Sequence, residues 1–283
     1  MAKLLEGKLV TAAMKERHTL QVKELEAKGV TPTLGIIRVG ERPDDISYEK
    51  GATKRCEGVG VAVKIFALPA DCSQEQLLEV IGQVNEDASI HGVLLFRPLP
   101  KHIDDETIRN ALAPQKDIDG ITDGSLAGVL TGKGSGFAPC TAQACIEILD
   151  HFSYELKGKR VVVVGRSLVV GKPLALMLTD RHATVTVCHT RTVDMPALCR
   201  TADIIIAAAG KAGVVNGEFF ASGQVVIDVG INFTDDGKMC GDADFAAAQP
   251  VVDAITPVPG GVGTVTTSVL VGNVIAAALS TKG

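Results

Sequence analysis

The chain has 283 residues, of which 46% are hydrophobic and 22% are charged, and its formal net charge is −5. This length and composition predict a sizeable buried core in more than one domain, which excludes a disordered or fibrous protein. The lysines and arginines are scattered along an acidic chain, so the sequence has no basic patch for nucleic acid. Small molecules are therefore the expected partners.

Cysteine usage and the apolar segments bear on the compartment. The 7 cysteines include no CxxC pair, and no histidine lies at zinc-finger spacing, which favours reduced thiols and no metal site. The segment Met1–Val10 carries charges and lacks the apolar region of a signal peptide. No apolar stretch is expected to reach the roughly 18 residues of a membrane span. We expect a cytoplasmic protein that does not bind membranes.

The first half of the chain alternates predicted helices and strands, which is typical of parallel sheets covered by helices. Apolar residues at helical spacing from Val10 to Leu25 predict a helix that ends at Gly29, and the apolar run Thr33–Val39 predicts a buried strand. The next predicted elements are a helix over Tyr48–Gly58, a strand over Val59–Leu68, a helix that starts at the capping box Ser73–Gln76 and a strand over Gly92–Phe96.

The second half continues the alternation after a charged, glycine- and proline-rich region from Lys101 to Gly136. That region predicts loops at a domain boundary or at the rim of an active site. Thr141–Phe152 is a predicted helix. Four strand-like runs follow at helix-length spacing, and they are Arg160–Val164, Thr184–Cys188, Ile204–Ala208 and Val225–Val229.

A phosphate-binding turn is predicted after the first of these four strands. Gly165 follows the strand, and Gly171 and Pro173 open an Ala- and Leu-rich helix. Such a turn aims backbone N–H groups and the positive helix end at a pyrophosphate. The usual GxGxxG pattern is not met, because Ser167 stands at the second glycine and the last glycine comes one residue late. A tight strand-to-helix turn without a ligand is the alternative interpretation.

The end of the next strand predicts the choice of cofactor. NAD sites usually carry a carboxylate there, but this chain reads His189, Thr190, Arg191 and Thr192. Thr190 and Arg191, together with Arg166, offer the hydroxyl and the cations that a 2′-phosphate needs. NADP is therefore predicted in preference to NAD. A solvated charge at a strand end is the alternative for Arg191.

A series of motifs occurs in order along the chain: Pro98-Leu-Pro100, Lys116-Asp-Ile-Asp-Gly120, Pro139-Cys-Thr141, Gly165-Arg-Ser-(x3)-Gly-Lys-Pro173, Thr186-Val-Cys-His-Thr-Arg-Thr192, Val226-Ile-Asp-Val-Gly-Ile-Asn232, Gly241-Asp-Ala-Asp244 and Ile255-Thr-Pro-Val-Pro-Gly-Gly-Val-Gly263. Through this series the chain resembles the methylenetetrahydrofolate dehydrogenase/cyclohydrolase family over essentially its whole length. The resemblance implies an N-terminal α/β folate domain (residues 1–140 plus 265–283) and a Rossmann-type NADP-binding domain (residues 141–264) around a cleft, usually in a homodimer.

The resemblance also implies site residues. Tyr48 and Asp119 are the catalytic and folate-binding candidates, with the Asp119 carboxylate on the pterin, and Pro259, Gly260 and Gly261 bring backbone close to the substrate. The implied NADP-binding residues are Gly165, Arg166, Ser167, Gly171, Pro173, Thr190, Arg191, Ile231 and Thr266. Taken alone, an Asp before Gly is more often a turn residue, and the tyrosine and the glycine-rich loop also fit simple packing roles.

Two departures from the family pattern concern its cyclohydrolase step. The lysine expected four residues after Tyr48 is Ala52, and Lys50 and Lys54 lie on other sides of the predicted helix. The glutamine expected before the Leu-Pro-Leu-Pro stretch is Phe96, which cannot hydrogen-bond through its side chain. A shifted helix register that brings one lysine into the site is the alternative. Arg97 also supplies a cation, but an arginine stays protonated and is a poor proton shuttle.

The predicted function is NADP-dependent oxidation of 5,10-methylenetetrahydrofolate to the 5,10-methenyl form, with weak or absent cyclohydrolase activity. A bifunctional enzyme that produces 10-formyltetrahydrofolate is the first alternative, and a non-catalytic NADP or folate sensor is an alternative of another class. A generic hydroxy-acid or amino-acid dehydrogenase would need a His or Lys base near the nicotinamide. His189 is instead predicted at the ribose end.

Overall fold

A computed structural model describes residues 1–134 and 136–281 of the chain. The strands are β1 (Lys3–Leu4), β2 (Thr33–Val39), β3 (Ala62–Leu68), β4 (Gly92–Leu95), β5 (Arg160–Val164), β6 (Thr184–Cys188), β7 (Ile204–Ala207), β8 (Val225–Asp228), β9 (Asn232–Phe233), β10 (Met239–Cys240) and β11 (Ala254–Ile255). The helices are α1 (Gly7–Glu26), α2 (Pro43–Glu57), α3 (Gln74–Glu86), α4 (Asp105–Ala111), α5 (Asp123–Thr131), α6 (Cys140–His151), α7 (Gly171–Asp180), α8 (Met195–Arg200), α9 (Phe245–Ala248) and α10 (Val262–Ser280). Short 3-10 helices lie at Pro114–Lys116 and Gly217–Phe219.

The chain folds into two compact units, each built on its own parallel sheet, and the predicted two-domain α/β class is confirmed. The three-stranded unit comprises Ala13–Cys140 and the chain from Thr267 onward. The six-stranded unit comprises Met1–Ala12 and Thr141–Thr266. The unit boundaries therefore fall within helices α1 and α10 and at the start of α6.

The three-stranded unit has strand order β3-β2-β4, with β2 at the centre and every residue of β2 buried. A parallel bridge joins Val93 in β4 to Asp117. Gly92 permits this approach, because a Cβ atom there would lie 2.4 Å from Ile118 Cγ2. The bridge places the segment that follows the 3-10 helix beside β4.

The sheet of the six-stranded unit has the order β1-β11-β8-β7-β5-β6 with every pairing parallel, and β9 and β10 form a separate antiparallel pair in the same unit. The short strand β1 pairs with β11 at one edge, with Lys3 opposite Ala254. The structure thus groups Met1–Ala12 with this unit, whereas the sequence-based boundaries placed residues 1–140 together. A two-residue strand has no periodicity, so the sequence carries no signal of its distant partner.

Several element positions agree with the sequence analysis, but α2 begins at Pro43 and not at Tyr48, where the predicted helix started. The strands β2, β5 and β6 have the predicted bounds. The region predicted as loops contains two short helices instead, α4 and α5, which are capped by the side chains of Asp104 and Thr122. Each cap accepts a backbone N–H three residues ahead, at Thr107 and Ser125. Seven and nine residues are too few for a clear helical period.

Helix α10 is long and apolar enough to cross a membrane by length and composition, in contrast to the expectation that no stretch would qualify. Buried residues make up 56% of its apolar window. Its fully buried side chains include Leu270, Val271, Val274 and Ile275. Burial of this kind explains the apolar composition as that of a core helix.

Candidate active site

Helix α2 carries Tyr48, and its sequence fixes where it starts and how it packs. Pro43 at the first helical turn and the basic residues of the last turn suit the helix ends. A buried ion pair ties the helix to β2, with Arg38 Nε 3.0 Å from Glu49 Oε2. The helix is continuous from Pro43 to Glu57, so Tyr48 and Ala52 share one face, one turn apart.

The Tyr48 ring lies against Phe96, at the end of β4. The two ring centroids are 5.8 Å apart and the planes meet at 87°, an edge-to-face contact. Tyr48 exposes 37% of its surface, and its phenol hydrogen-bonds the Thr267 side chain. Desolvation, followed by the nearby Asp119 carboxylate, raises the pKa of the phenol above its usual range. Tyr48 and Asp119 are therefore neighbours, as a shared site requires.

In the motif Lys116-Asp-Ile-Asp-Gly120, two charged side chains hold the backbone in place and the third is available for a ligand. Lys116 donates to the carbonyls of Val84 (2.7 Å) and Asp87 (2.8 Å) at the end of α3. The buried Asp117 carboxylate accepts backbone N–H groups from the chain that follows it, at 2.7 and 3.0 Å. Gly120 has φ +68, and a Cβ there would meet the Pro139 backbone. Because Lys116 and Asp117 hold the backbone in place, Asp119 is the charged residue of this motif that remains available for a ligand.

Asp119 lies half-buried among groups that tune its charge. Burial raises the pKa of Asp119 to about 6. A hydrogen bond from the buried Cys140 thiol opposes this rise, the Asp117 charge adds to it, and the Arg97 charge opposes it. The Ile118 carbonyl oxygen, 3.2 Å from Cys140 Sγ, is a second acceptor that competes for the single thiol proton, and the Asn273 amide donates to the sulfur. Near neutral pH the carboxylate is mostly ionised and can accept two N–H groups from a ligand.

The positions of the two departures are both filled by apolar side chains. Ala52 is fully buried, and Phe96 packs its ring against Tyr48. Lys50 and Lys54 have exposed side chains on the same continuous helix. The unbroken helix removes the shifted register as a route for either lysine. Sequence reasoning did not single out Thr267 or Asn273, which arrive from α10 and have no motif of their own.

The glycine turn after β5 fits a nucleotide phosphate. Gly165 has φ +134, and a Cβ atom there would lie 2.0 Å from the Ala208 carbonyl oxygen. A Cβ at Gly171 would lie 2.2 Å from the Gly165 carbonyl oxygen, so both positions need glycine. No side chain caps the start of α7, and Pro173 lies buried in its first turn. The turn and the positive helix end together form a cradle for a pyrophosphate.

The predicted 2′-phosphate residues lie at the same edge of the sheet. Arg166 and Arg191 are exposed, and neither guanidinium makes an ion pair within the part of the chain that the structure describes. The turn that carries Thr190 is closed by His189, whose Nδ1 accepts the Arg191 N–H at 3.1 Å. His189 therefore has a structural role here. The two cations remain available for an anionic ligand.

Two buried carboxylates organise the loops around Ile231. Asp228, at the end of β8, accepts N–H groups from Gly230, Asp242 and Ala243 at 2.9 to 3.0 Å. Burial raises the pKa of Asp228 to about 6. The network leaves Ile231 with 60% of its surface exposed.

Asp242 completes this network. It accepts the backbone N–H groups of Gly210 (2.8 Å) and Lys211 (2.9 Å) and the side-chain amide of Asn232 (2.9 Å). The loops that follow β7 and β8 are therefore joined through one carboxylate. The motifs that contain Asp228 and Asp242 were singled out in the sequence without a role, and the structure gives them this one.

The loop before α10 carries the remaining predicted residues. Pro259 and Gly260 are exposed, and Gly260 has φ +103 and accepts the Gly7 N–H at 2.8 Å. Gly261 is buried, and a Cβ there would lie 2.5 Å from the Pro257 carbonyl oxygen. Thr266, in the first turns of α10, bonds its hydroxyl to the Val262 carbonyl. Among the described residues, no group of three His, Cys, Asp or Glu side chains is arranged to hold a metal.

The six-stranded parallel sheet, with its glycine turn before α7, defines a Rossmann-type nucleotide-binding unit. The three-stranded unit adds a half-buried carboxylate and a tyrosine that face a common site. A fold with these two features defines a two-domain α/β protein of the nucleotide-binding class.

Comparison with known proteins is more specific. Residues 5–119 match the model of the tetrahydrofolate dehydrogenase/cyclohydrolase catalytic domain, and residues 139–282 match that of its NAD(P)-binding domain. The chain belongs to the tetrahydrofolate dehydrogenase/cyclohydrolase family.

Similar proteins cover the full length. The bifunctional protein FolD 1 of Desulfitobacterium hafniense is 49% identical over 280 residues, which are 99% of this chain and 100% of that protein. The bifunctional FolD from Campylobacter jejuni has a crystal structure with TM-score 0.95 and 37% identity, covering 99% of this chain and 100% of that one. The Trypanosoma brucei FolD, solved with NADP cofactor and an inhibitor, has TM-score 0.91 and 34% identity, covering 99% and 98%.

Proposed function

We propose that the chain oxidises 5,10-methylenetetrahydrofolate to 5,10-methenyltetrahydrofolate with NADP and hydrolyses the product poorly or not at all. The observation that carries the first part is the half-buried Asp119 carboxylate. Asp117, and not Asp119, accepts the backbone N–H groups that hold this segment in place, so Asp119 is available for a ligand. The second part rests on the apolar side chains of Ala52 and Phe96 beside Tyr48.

Hydride transfer requires little acid–base catalysis from the protein. Bound NADP accepts the hydride from the one-carbon bridge, so the chain must chiefly bind and orient the folate and keep water away. The ionised Asp119 carboxylate accepts the paired N–H groups of the pterin, and the Tyr48 ring offers a flat apolar surface beside it. The Gly165 turn and the exposed Arg166 and Arg191 would hold the pyrophosphate and the 2′-phosphate.

Hydrolysis of the methenyl group, by contrast, requires a group that transfers a proton. Water must add to the methenyl carbon while a nearby group accepts a proton, which an amine with a suitable hydrogen-bond partner can do. The methyl group of Ala52 and the phenyl group of Phe96 can neither accept nor donate a proton. These two positions therefore supply no group for proton transfer, while Asp119 and Tyr48 remain for folate binding.

A bifunctional enzyme is the second candidate, because the Desulfitobacterium hafniense relative is named bifunctional and is 49% identical. Paired kinetics on one preparation separate the two candidates: NADPH formation from 5,10-methylenetetrahydrofolate is followed beside hydrolysis of 5,10-methenyltetrahydrofolate. Our proposal expects NADPH formation and almost no enzymatic hydrolysis. Equal rates would favour the bifunctional enzyme, and no NADPH formation would favour a non-catalytic sensor.

We also propose that the protein works as a cytoplasmic homodimer. All 7 cysteines are free thiols, which suits a reducing compartment. The dimer rests on the family resemblance, and the exposed Phe233 and Met239 of the β9–β10 hairpin offer apolar surface for contact. One chain has a mass of 29.5 kDa, and light scattering of the purified protein should give twice that mass for a dimer.

A further inference from the structure

Asn273 is a half-buried polar residue in the apolar helix α10, and the two residues that follow it, Val274 and Ile275, are fully buried. Its side-chain nitrogen Nδ2 lies 2.8 Å from the Ile118 carbonyl oxygen. An amide among apolar side chains costs free energy unless it is hydrogen-bonded. The contact with Ile118 meets that requirement, and it ties α10 to a segment that lies 155 residues earlier in the chain.

The surroundings of Asn273 require a donor at this position. The Ile118 carbonyl oxygen can only accept a hydrogen bond, so the NH2 group of the amide faces it. The Cys140 thiol lies 3.2 Å from the same oxygen, but its single proton is also within reach of the Asp119 carboxylate. Asn273 is therefore the donor that satisfies the Ile118 carbonyl whichever acceptor the thiol takes.

The Ile118 carbonyl belongs to the peptide group that joins Ile118 to Asp119. That group is planar, so its oxygen and the backbone nitrogen of Asp119 move together. The peptide group on the other side of Asp119 is held as well, because the Gly120 N–H donates to the Asp117 carbonyl at 3.3 Å. Two held peptide planes determine φ and ψ of Asp119, and with them the direction of its Cα–Cβ bond.

Packing supports the hydrogen bond from Asn273. The side chains of Ile118 and Val274 are both fully buried. They lie over the first residue of β4, where a Cβ atom at Gly92 would be 2.4 Å from Ile118 Cγ2 and 3.2 Å from Val274 Cγ2. The bridge between Val93 and Asp117 fixes the same segment one residue earlier. Helix α10 is therefore packed against this segment and gives the amide a rigid base.

We propose that Asn273 is a positioning residue for folate binding: its amide holds the peptide group that precedes Asp119 and so directs the Asp119 carboxylate at the pterin. The inference rests on the proposed binding role of Asp119. Asn273 acts through the backbone and need not touch the substrate. The turn itself has local bonds, since the Asp117 carboxylate accepts the N–H groups of Ile121 and Thr122. Asn273 is thus needed for the direction of the carboxylate and not for the turn.

The test is steady-state kinetics of NADPH formation with the variant Asn273→Leu, which keeps the size of the side chain and removes the donor. It should lower kcat/KM for 5,10-methylenetetrahydrofolate by about tenfold or more, because a misplacement of about 1 Å in a site can cost about a hundredfold. The loss should come mainly from a higher KM for the folate, with the KM for NADP within about twofold of its original value. Unchanged folate kinetics would overturn the inference.

Asn85 offers a matched control for a purely structural loss. Its Nδ2 also donates to a distant carbonyl at 2.8 Å, that of Ala111, from a half-buried position in the same unit. Asn85→Leu should lower the stability to urea as Asn273→Leu does and leave the KM for the folate unchanged. An equal rise of the folate KM in both variants would show that lost stability is the cause, which contradicts a positioning role. Should Asn273→Leu fail to fold, Asn273→Ala removes the same donor without added bulk and carries the same expectations.

A double variant shows whether Asn273 acts through Asp119. In the Asp119→Asn background, the added change Asn273→Leu should lower kcat/KM for the folate by less than about twofold, because the group that it directs is already altered. The same fold loss in both backgrounds would mean that Asn273 acts by another route, and the positioning role alone would be wrong. If Asp119→Asn by itself leaves folate kinetics unchanged, the proposed binding role of Asp119 is wrong, and the positioning role fails with it.

Discussion

The two units differ in the kinds of groups that line their proposed sites. In the six-stranded unit, glycines, backbone N–H groups and two buried aspartates build the edge of the sheet. Arg166 and Arg191 are exposed there, and neither makes an ion pair with any residue that the structure describes. In the three-stranded unit, the carboxylate that we propose for folate binding is present, but two other positions of the proposed site hold a methyl and a phenyl group. Our proposal therefore separates ligand binding, which it assigns to both units, from proton transfer, for which these two positions offer no group.

The largest expected effect tests that separation directly. We predict that the unmodified protein hydrolyses 5,10-methenyltetrahydrofolate more slowly than it transfers hydride by about 10²–10⁴-fold, the usual contribution of general acid–base catalysis. Ala52→Lys together with Phe96→Gln should raise hydrolysis, and each single change should do less, because the two groups act as a unit. Loss of absorbance of the methenyl form gives the rate.

A buried site complicates this variant, so the control must match its size. Ala52→Met with Phe96→Leu introduces similar bulk without an amine or amide, and it should not raise hydrolysis. Gain in both double variants would point to loosened packing as the cause. Hydrolysis in the unmodified protein as fast as hydride transfer would show that our interpretation of Ala52 and Phe96 is wrong.

The second prediction sharpens the division of labour between two aspartates of one motif. Asp119→Asn should lower kcat/KM for the folate by about a hundredfold or more, through loss of charged hydrogen bonds to the pterin, with the KM for NADP nearly unchanged. Asp117→Asn should instead lower the free energy of unfolding by about 1–3 kcal/mol, because its buried carboxylate accepts two backbone N–H groups. Steady-state kinetics and urea unfolding on both variants check this.

The reverse pattern is the informative failure. If Asp117→Asn lost folate turnover while remaining as stable as the unmodified protein, the roles of the two aspartates would have to be exchanged. Equal loss of stability in both variants would mean that Asp119 is a structural residue.

The third prediction turns to the other unit. Arg191→Ala or Arg166→Ala should weaken NADP binding by about 1–3 kcal/mol, the range for a charge-assisted contact, and should change kcat/KM for NAD much less. Lys157→Ala provides a matched control, because it removes an exposed cation that precedes β5 and so lies at the opposite edge of the sheet from the glycine turn. Better efficiency with NAD than with NADP in the unmodified protein would contradict this assignment.

The sequence predicts these sites unevenly, for physical reasons. Strands such as β2 and β5 are continuous apolar runs, and the glycine turn at Gly165 follows from residue type alone. The groups that hold Tyr48 and Cys140 in place are harder to predict, because Thr267 and Asn273 come from a helix far along the chain. Such contacts depend on register and packing, which local sequence does not encode.

The smallest expected effect concerns stability. Burial raises the pKa of Asp119 to about 6, above its value in the unfolded chain, so the folded protein holds this proton more tightly than the unfolded chain does. Ionising Asp119 therefore lowers the free energy of unfolding as pH rises from about 4 to 6. Asp119→Asn removes this cost, and its Tm should exceed that of the unmodified protein by a few degrees at pH 7 and by less at pH 4.

Asp228, whose pKa is also raised to about 6, contributes the same pH dependence to both proteins and cancels in the comparison. Differential scanning calorimetry across this pH range gives the difference directly. A higher Tm in a variant that binds folate poorly would show that the ionised Asp119 carboxylate destabilises the fold while it serves ligand binding. A variant less stable than the unmodified protein at pH 7 would mean that Asp119, like Asp117, holds the fold together, and the contrast drawn between them would fail.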